Sequence, residues 1–209
     1  MKLRTAVLVT IVAALCTVAT WAQMPNVPSF AADMKMTPSK GETITGKMYF
    51  GSKHMRMEMN ARGQNMIMIN DYSDMNSVKV MMLMPAQHMY MEFDANAAAA
   101  MAGRQRTPQV HLYDPTNPCA SEAGTTCKNM GTETVNGYAC DKWQFTGKTT
   151  STVWISQKLH FPIKVVNSDG TVMEFSNISE AAQDPSLFTV PSGYQKMDMG
   201  AMMGGRKQQ

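Results

Sequence analysis

Lys53-His54-Met55-Arg56-Met57-Glu58-Met59 reads KHMRMEM, a methionine at every second position with a charged or titratable residue between. Successive side chains of a strand point to opposite faces, so this spacing describes a strand with one thioether face and one polar face. His88-Met89-Tyr90-Met91-Glu92-Phe93 repeats the pattern thirty-odd residues on.

The same period runs outward in both directions. Phe30, Ala32, Met34 and Met36 share a face against Asp33 and Lys35, and a break at SKGE leads into a strand from Ile44 to Phe50. ARGQ turns into Met66-Ile67-Met68-Ile69, apolar on both faces, and NDYSDMN separates this from Val78 to Met84. Later strands are expected through GTETVNGYACDKWQF, over Thr149 to Ile155, over Ile163 to Val166, and from Thr171 to Ile178. Asn136-Gly137 inside the first of these is a type I′ hairpin signal. Asp94 to Arg104, DANAAAAMAGR, breaks the period, and its alanine run predicts one short helix capped by Asp94. Nine to eleven strands in one antiparallel sheet cannot stay flat, so the expected fold is mainly β: a strongly curved sheet forming a half-open barrel with a short helical lid.

Methionine makes up 23 of the 209 residues, and fourteen of these lie between Met34 and Met91. An alternating apolar stripe is ordinarily the buried face of a strand, with methionine as core filler. Methionine is nevertheless flexible and specifies a packed core poorly, whereas a surface that accepts apolar partners of varied shape gains from it. Met55, Met57, Met59, Met66, Met68, Met82, Met84, Met89 and Met91 are therefore the expected apolar lining of one concave face. Arg56, Glu58 and Glu92 are expected to face solvent. Thioethers also suit Cu(I), which makes a Met-rich copper-binding envelope protein the alternative, and a structural envelope protein without ligand a third reading. Each His points away from its neighbouring Met in a strand, so no His-Met metal site is expected.

The first 22 residues carry a basic start (Lys2, Arg4), an uncharged run from Thr5 to Val18 and small residues at Ala19 and Ala22, the order of a cleaved signal peptide. The apolar run is short for a membrane span. The expected organisation is a signal peptide over 1–22, a linker over 23–29, a single domain over 30–195 and a Met- and Gly-rich tail over 196–209. The formal charge of +3 includes Lys2 and Arg4, and no basic run points to nucleic acid. Export permits disulfides. Cys119 and Cys127 flank CASEAGTTC and are expected to staple it, leaving Cys140 free; pairing of Cys127 with Cys140 is the alternative. No GxSxG, P-loop, HExxH or GxGxxG occurs, and His54, His88, His111 and His160 lack ligand spacing. The reading is non-enzymatic, with no cofactor.

The order of FAADMKM, GKMYFGSKHMRMEM, WISQKLHFPIKVV, TVMEFSNI and DPSLFTVPSGYQKM resembles the LolA-like group of exported envelope proteins, and within it a Met-rich branch. The likeness runs from about Phe30 to Tyr194, and W-I, then P-I-K, then F-x-x-P-x-G-Y is its most telling part. The resemblance implies a half-barrel that holds an acyl chain or lipid under a helical lid, in the periplasm or outside the cell. A monomeric state and an envelope acceptor protein as a further partner are also expected. The carriers of that group line their cavities with Leu, Val and aromatics, so an apolar ligand is a broader expectation than lipoprotein cargo.

Overall fold

The computed structural model describes residues 27–51, 53–61, 63–74, 77–94, 118–121 and 124–197. The expected signal peptide, most of the expected helix at 94–104, and the tail beyond 197 lie outside these residues; Asp94 itself ends a strand. The described chain forms β1 (Phe30–Thr37), β2 (Ile44–Gly51), β3 (His54–Ala61), β4 (Gln64–Asp71), β5 (Lys79–Met84) and β6 (Met89–Asp94). After these come β7 (Thr126–Val135), β8 (Tyr138–Thr146), β9 (Thr150–Ser156), β10 (Pro162–Asn167), β11 (Val172–Ser179) and β12 (Gln195–Lys196). Short 3-10 turns occur at Pro85–Gln87, Pro118–Ser121 and Pro185–Phe188, and no α-helix occurs among the described residues.

All twelve strands belong to one sheet in the order β12-β6-β5-β4-β3-β2-β1-β11-β10-β9-β8-β7. Sequence neighbours pair except at β6–β7 and β11–β12, and β1 pairs with β11 to join the two halves. Pairing is antiparallel except at β12, whose two residues run parallel to β6. The ends of the order are separate edges, so the sheet does not close into a barrel. It does curl. Asn136, in the β7–β8 turn, donates from Nδ2 to the Phe175 carbonyl of β11 at 2.8 Å, and Tyr138 Oη on β8 donates to Glu180 at 2.9 Å. Two strands intervene between β8 and β11, roughly 14 Å of flat sheet at the usual spacing. Side chains bridge that gap only if this end rolls over on itself. Irregular register between β1 and β11 and between β9 and β10 supplies local bends.

The Asn-Gly turn is where the sequence placed it, with φ of 50° at Asn136 and 84° at Gly137, the two positive values a type I′ turn requires. Phe30 stacks on Phe50 and meets Phe161 edge-on, which in turn meets Phe175 edge-on, so four fully buried rings join β1, β2, β11 and the turn before β10. Cys119 and Cys127 are disulfide-bonded and Cys140 is a buried free thiol. The register rules out the alternative pairing. Cys127 sits opposite Phe145 and Cys140 opposite Glu133, six residues along β7, or roughly 20 Å at strand rise.

Candidate functional site

Residues directly opposite one another on neighbouring strands share a face, so the register defines rows across the sheet. One row runs Ala32, Met48, Met57, Met68, Met82, Met91 from β1 to β6. The row beside it runs Phe30, Phe50, Met55, Asn70, Val80, Phe93. On the other side Met34 meets Gly46, Gly46 meets Met59 and Met59 meets Met66, while Met84 meets Met89. All nine methionines singled out from the sequence thus occupy one face.

Their surroundings differ. Met55, Met57 and Met68 are buried in the main core with Met34 and Met48, and Met59 packs against that cluster. Met82, Met84, Met89 and Met91 are half-buried, and Met66 is 38% exposed. The face therefore grades from packed core at β2–β3 to accessible thioether at β5–β6. No charged side chain shares the rows just traced. Asn70 is their polar member; its Nδ2 donates to Tyr72 Oη at 3.1 Å, and burial pushes the Tyr72 hydroxyl pKa up.

Alternation is expected to leave Arg56, Glu58 and Glu92 in solvent on the opposite face of the sheet, and for Arg56 the structure corrects the reading. Residues 184–197 cross that face as a strap. Phe188, with Leu187, Val190 and Tyr194 beside it, packs on Ile69 and Leu83, and Tyr49, Ile67, Met81 and Tyr90 complete the cluster. Arg56 lies under the strap at 8% exposure, its Nη1 donating to the Leu187 carbonyl at 2.9 Å and its Nε to Glu58 at 2.7 Å. Glu58 is half-buried and Glu92 exposed, the latter paired with Lys196 at 2.9 Å. His54 stacks on Phe188 and His88 lies against Tyr194. The signal for this second buried face is already present where Met66-Ile67-Met68-Ile69 and Met81-Met82-Leu83 lose their alternation.

Two depressions formed by described residues lie elsewhere, neither lined by methionine. One, of about 100 Å³, is bounded by Pro118, Asp141, Trp143, Ile155, Gln157 and His160. The other is an open hollow of about 640 Å³ beside the β7–β8 turn, Lys158 and Glu180. No group of three or more His, Cys, Asp or Glu side chains gathers as a metal site among the described residues. Glu133 accepts from Trp154 Nε1 at 2.9 Å and Lys142 at 3.1 Å, which holds its carboxylate below the usual range, while Lys142 and Lys164 lie over the Trp154 ring. That cluster is internally satisfied.

Fold and face together define a single-sheet β protein whose distinguishing surface is a graded methionine face backed by a C-terminal strap. By sequence the chain belongs to the family described as a domain of unknown function, DUF4412, whose model matches residues 31–160. No curated protein matches it. Among solved structures, an uncharacterized conserved protein from Thermus thermophilus aligns at 10% identity over 82% of this chain and 91% of that one, with a TM-score of 0.54. PNGF-II aligns at 12% identity over 85% of this chain with a TM-score of 0.51, and this chain spans 32% of the PNGF-II chain. A LolA superfamily protein from Nitrosomonas europaea aligns at 11% identity over 78% of this chain and 91% of that one, with a TM-score of 0.36. The first two are likenesses of fold alone, and the third adds nothing to the fold argument.

Proposed function

We propose that this chain is a non-enzymatic exported protein that binds a lipid or another apolar ligand on its methionine face. The observation carrying the reading is the row Met48, Met57, Met68, Met82 and Met91: thioethers abreast on five consecutive strands, buried at one end and half-buried at the other. A core alone gains little from flexible side chains in register, because methionine specifies packing poorly. A face that opens to alkyl chains of varied shape gains adaptability from the same residues. Location in the envelope, a monomeric state and hand-over to an acceptor protein belong to the proposal and rest on the LolA-like sequence pattern.

Met82 and Met91 face each other on β5 and β6 at the half-buried end of the row. Replacing both with Glu is expected to abolish binding of an apolar fluorescent probe, because a carboxylate in an apolar site is costly to ionise and removes apolar surface. Replacing both with Leu is expected to preserve the fold to within about 1.5 kcal/mol per site and to keep the probe bound. Probe binding undiminished in the folded Glu variant would overturn the reading. A Cu(I) titration separates the copper alternative: thioether coordination predicts weaker Cu(I) binding in the Leu variant, while probe binding persists.

A further inference from the structure

We infer that the ligand of the methionine face is a neutral amphiphile carrying a hydrogen-bond donor, a hydroxyl or an amide N–H, at the junction of its head and chain, and that Asn70 receives that donor. The inference rests on the apolar-ligand reading above and narrows it to a chemical class.

Asn70 stands on β4 between Met55 and Val80 in the row that runs from Phe30 to Phe93, with Met68 next to it along the strand on the same face. It is 9% exposed, and its neighbours Met55 and Val80 are buried as well. Its Nδ2 is committed to Tyr72 Oη, but Oδ1 is buried and has no hydrogen-bond partner among the described residues. A buried carbonyl left unpaired costs the desolvation of that group without return, and a leucine of similar size would avoid the cost. The sequence places there the one polar side chain in the rows traced across this face. An amide at that position is useful if a partner for Oδ1 arrives with the ligand.

The chemistry of the site selects the partner. A lone acceptor oxygen repels a carboxylate or phosphate. The rows contain no carboxylate to accompany an ammonium, and an unpaired buried cation is costly. A neutral donor meets both conditions, and the adjacent flexible methionines, half-buried toward β6, supply a path for the attached chain. Tyr72 occupies the amide's donor end, so Oδ1 is the end left for the ligand. This is the geometry by which a site that hydrogen-bonds a ligand group rejects the analogue lacking it.

Two probes of equal chain length test the idea: 1-dodecanol, which donates, and dodecyl methyl ether, which only accepts, each measured by displacement of a fluorescent apolar probe from the full chain. The expected result is tighter binding of the alcohol by about fivefold or more, the return from one hydrogen bond made to a waiting acceptor. In Asn70→Leu, checked for fold by circular dichroism, the ether is expected to bind as before and the alcohol's advantage to vanish. The variant is also expected to melt at a higher temperature than the parent protein in the absence of ligand. Equal binding of both probes by the parent protein would overturn the inference while leaving the apolar-ligand reading intact, with Asn70 then solvated by a buried water alone. Failure of both probes to bind would remove the apolar-ligand reading, and the inference with it.

Discussion

Arg56 and Cys140 both take their character from burial. Arg56 sits where alternation alone would place a solvated charge, yet it is packed beneath the strap and tied to Glu58 and to the Leu187 carbonyl. Its planar donor fork serves both partners at once, which a lysine would not reproduce. Cys140 is fully buried in the main core, with its thiol against the Tyr138 carbonyl. Burial pushes its pKa up to about 11. A folded-state value above the ordinary one means the associated stability is fully present below about pH 9 and is lost as pH rises through 11. At pH 8 the thiol is expected to resist iodoacetamide in the native protein and to react once denaturant is added. Rapid alkylation of folded protein at that pH would contradict the placement.

Among the elements, the strap is the one whose removal would change the surface most. Gly51 makes its seat, since a Cβ there would stand 2.8 Å from the Phe188 ring. Asp184 starts it, its carboxylate accepting from the Ser186 N–H at 2.9 Å. At its far end Gln195 and Met197 donate to the carbonyls of His88 and Tyr90, each at 2.8 Å, and so cover part of the β6 edge. An uncovered edge of that kind is a template for unwanted pairing. Phe188→Ala is expected to cost about 3 kcal/mol, the low end for a buried ring, and to speed amide exchange at Gln195 and Met197. Unchanged exchange there would show the strap to be held without Phe188. The backbone and side-chain bonds from Ser186 hold Asp184 below the usual carboxylate range. The cap is therefore present above that range and is lost only as pH falls through the lowered value, so acid that strong should loosen this end of the strap.

For the molecule as a whole, the rolled end of the sheet depends on a clasp between elements far apart in the pairing order. Asn136 has two jobs: its left-handed backbone makes the turn, and its side chain bonds Phe175 O and Glu174 Oε1 on β11. Asn136→Gly separates them, because glycine keeps the turn and drops the clasp. The expected outcome is a loss of about 1–2 kcal/mol with faster amide exchange around Phe175, while β3 to β6 exchange as before. If β11 exchange is unaffected, the curl is held by the buried rings of Phe30, Phe161 and Phe175 and not by the clasp.

Strict alternation in β1, β2, β3 and β6 was enough to define strands, their order of appearance and the face on which the methionines lie, because a period of two leaves no other solution and a one-residue slip would bury charges. The Asn-Gly turn was equally legible, since few residues tolerate two successive positive φ angles. Local pattern could not say what lies on a face. Arg56 reads as solvated until a segment some 130 residues later folds across it, and Ile67, Ile69 and Leu83 only hint that such a cover exists. Asn70 reads as a turn-proximal polar residue at the end of an apolar strand, and only register across β3 and β5 puts it beside Met55, its oxygen without a partner among the described residues. The sequence by itself determined which side chains share a face, because that is fixed by the backbone period. Which face is covered, by what, and how deeply was decided by tertiary structure, because burial is a property of contacts between segments that no local period encodes.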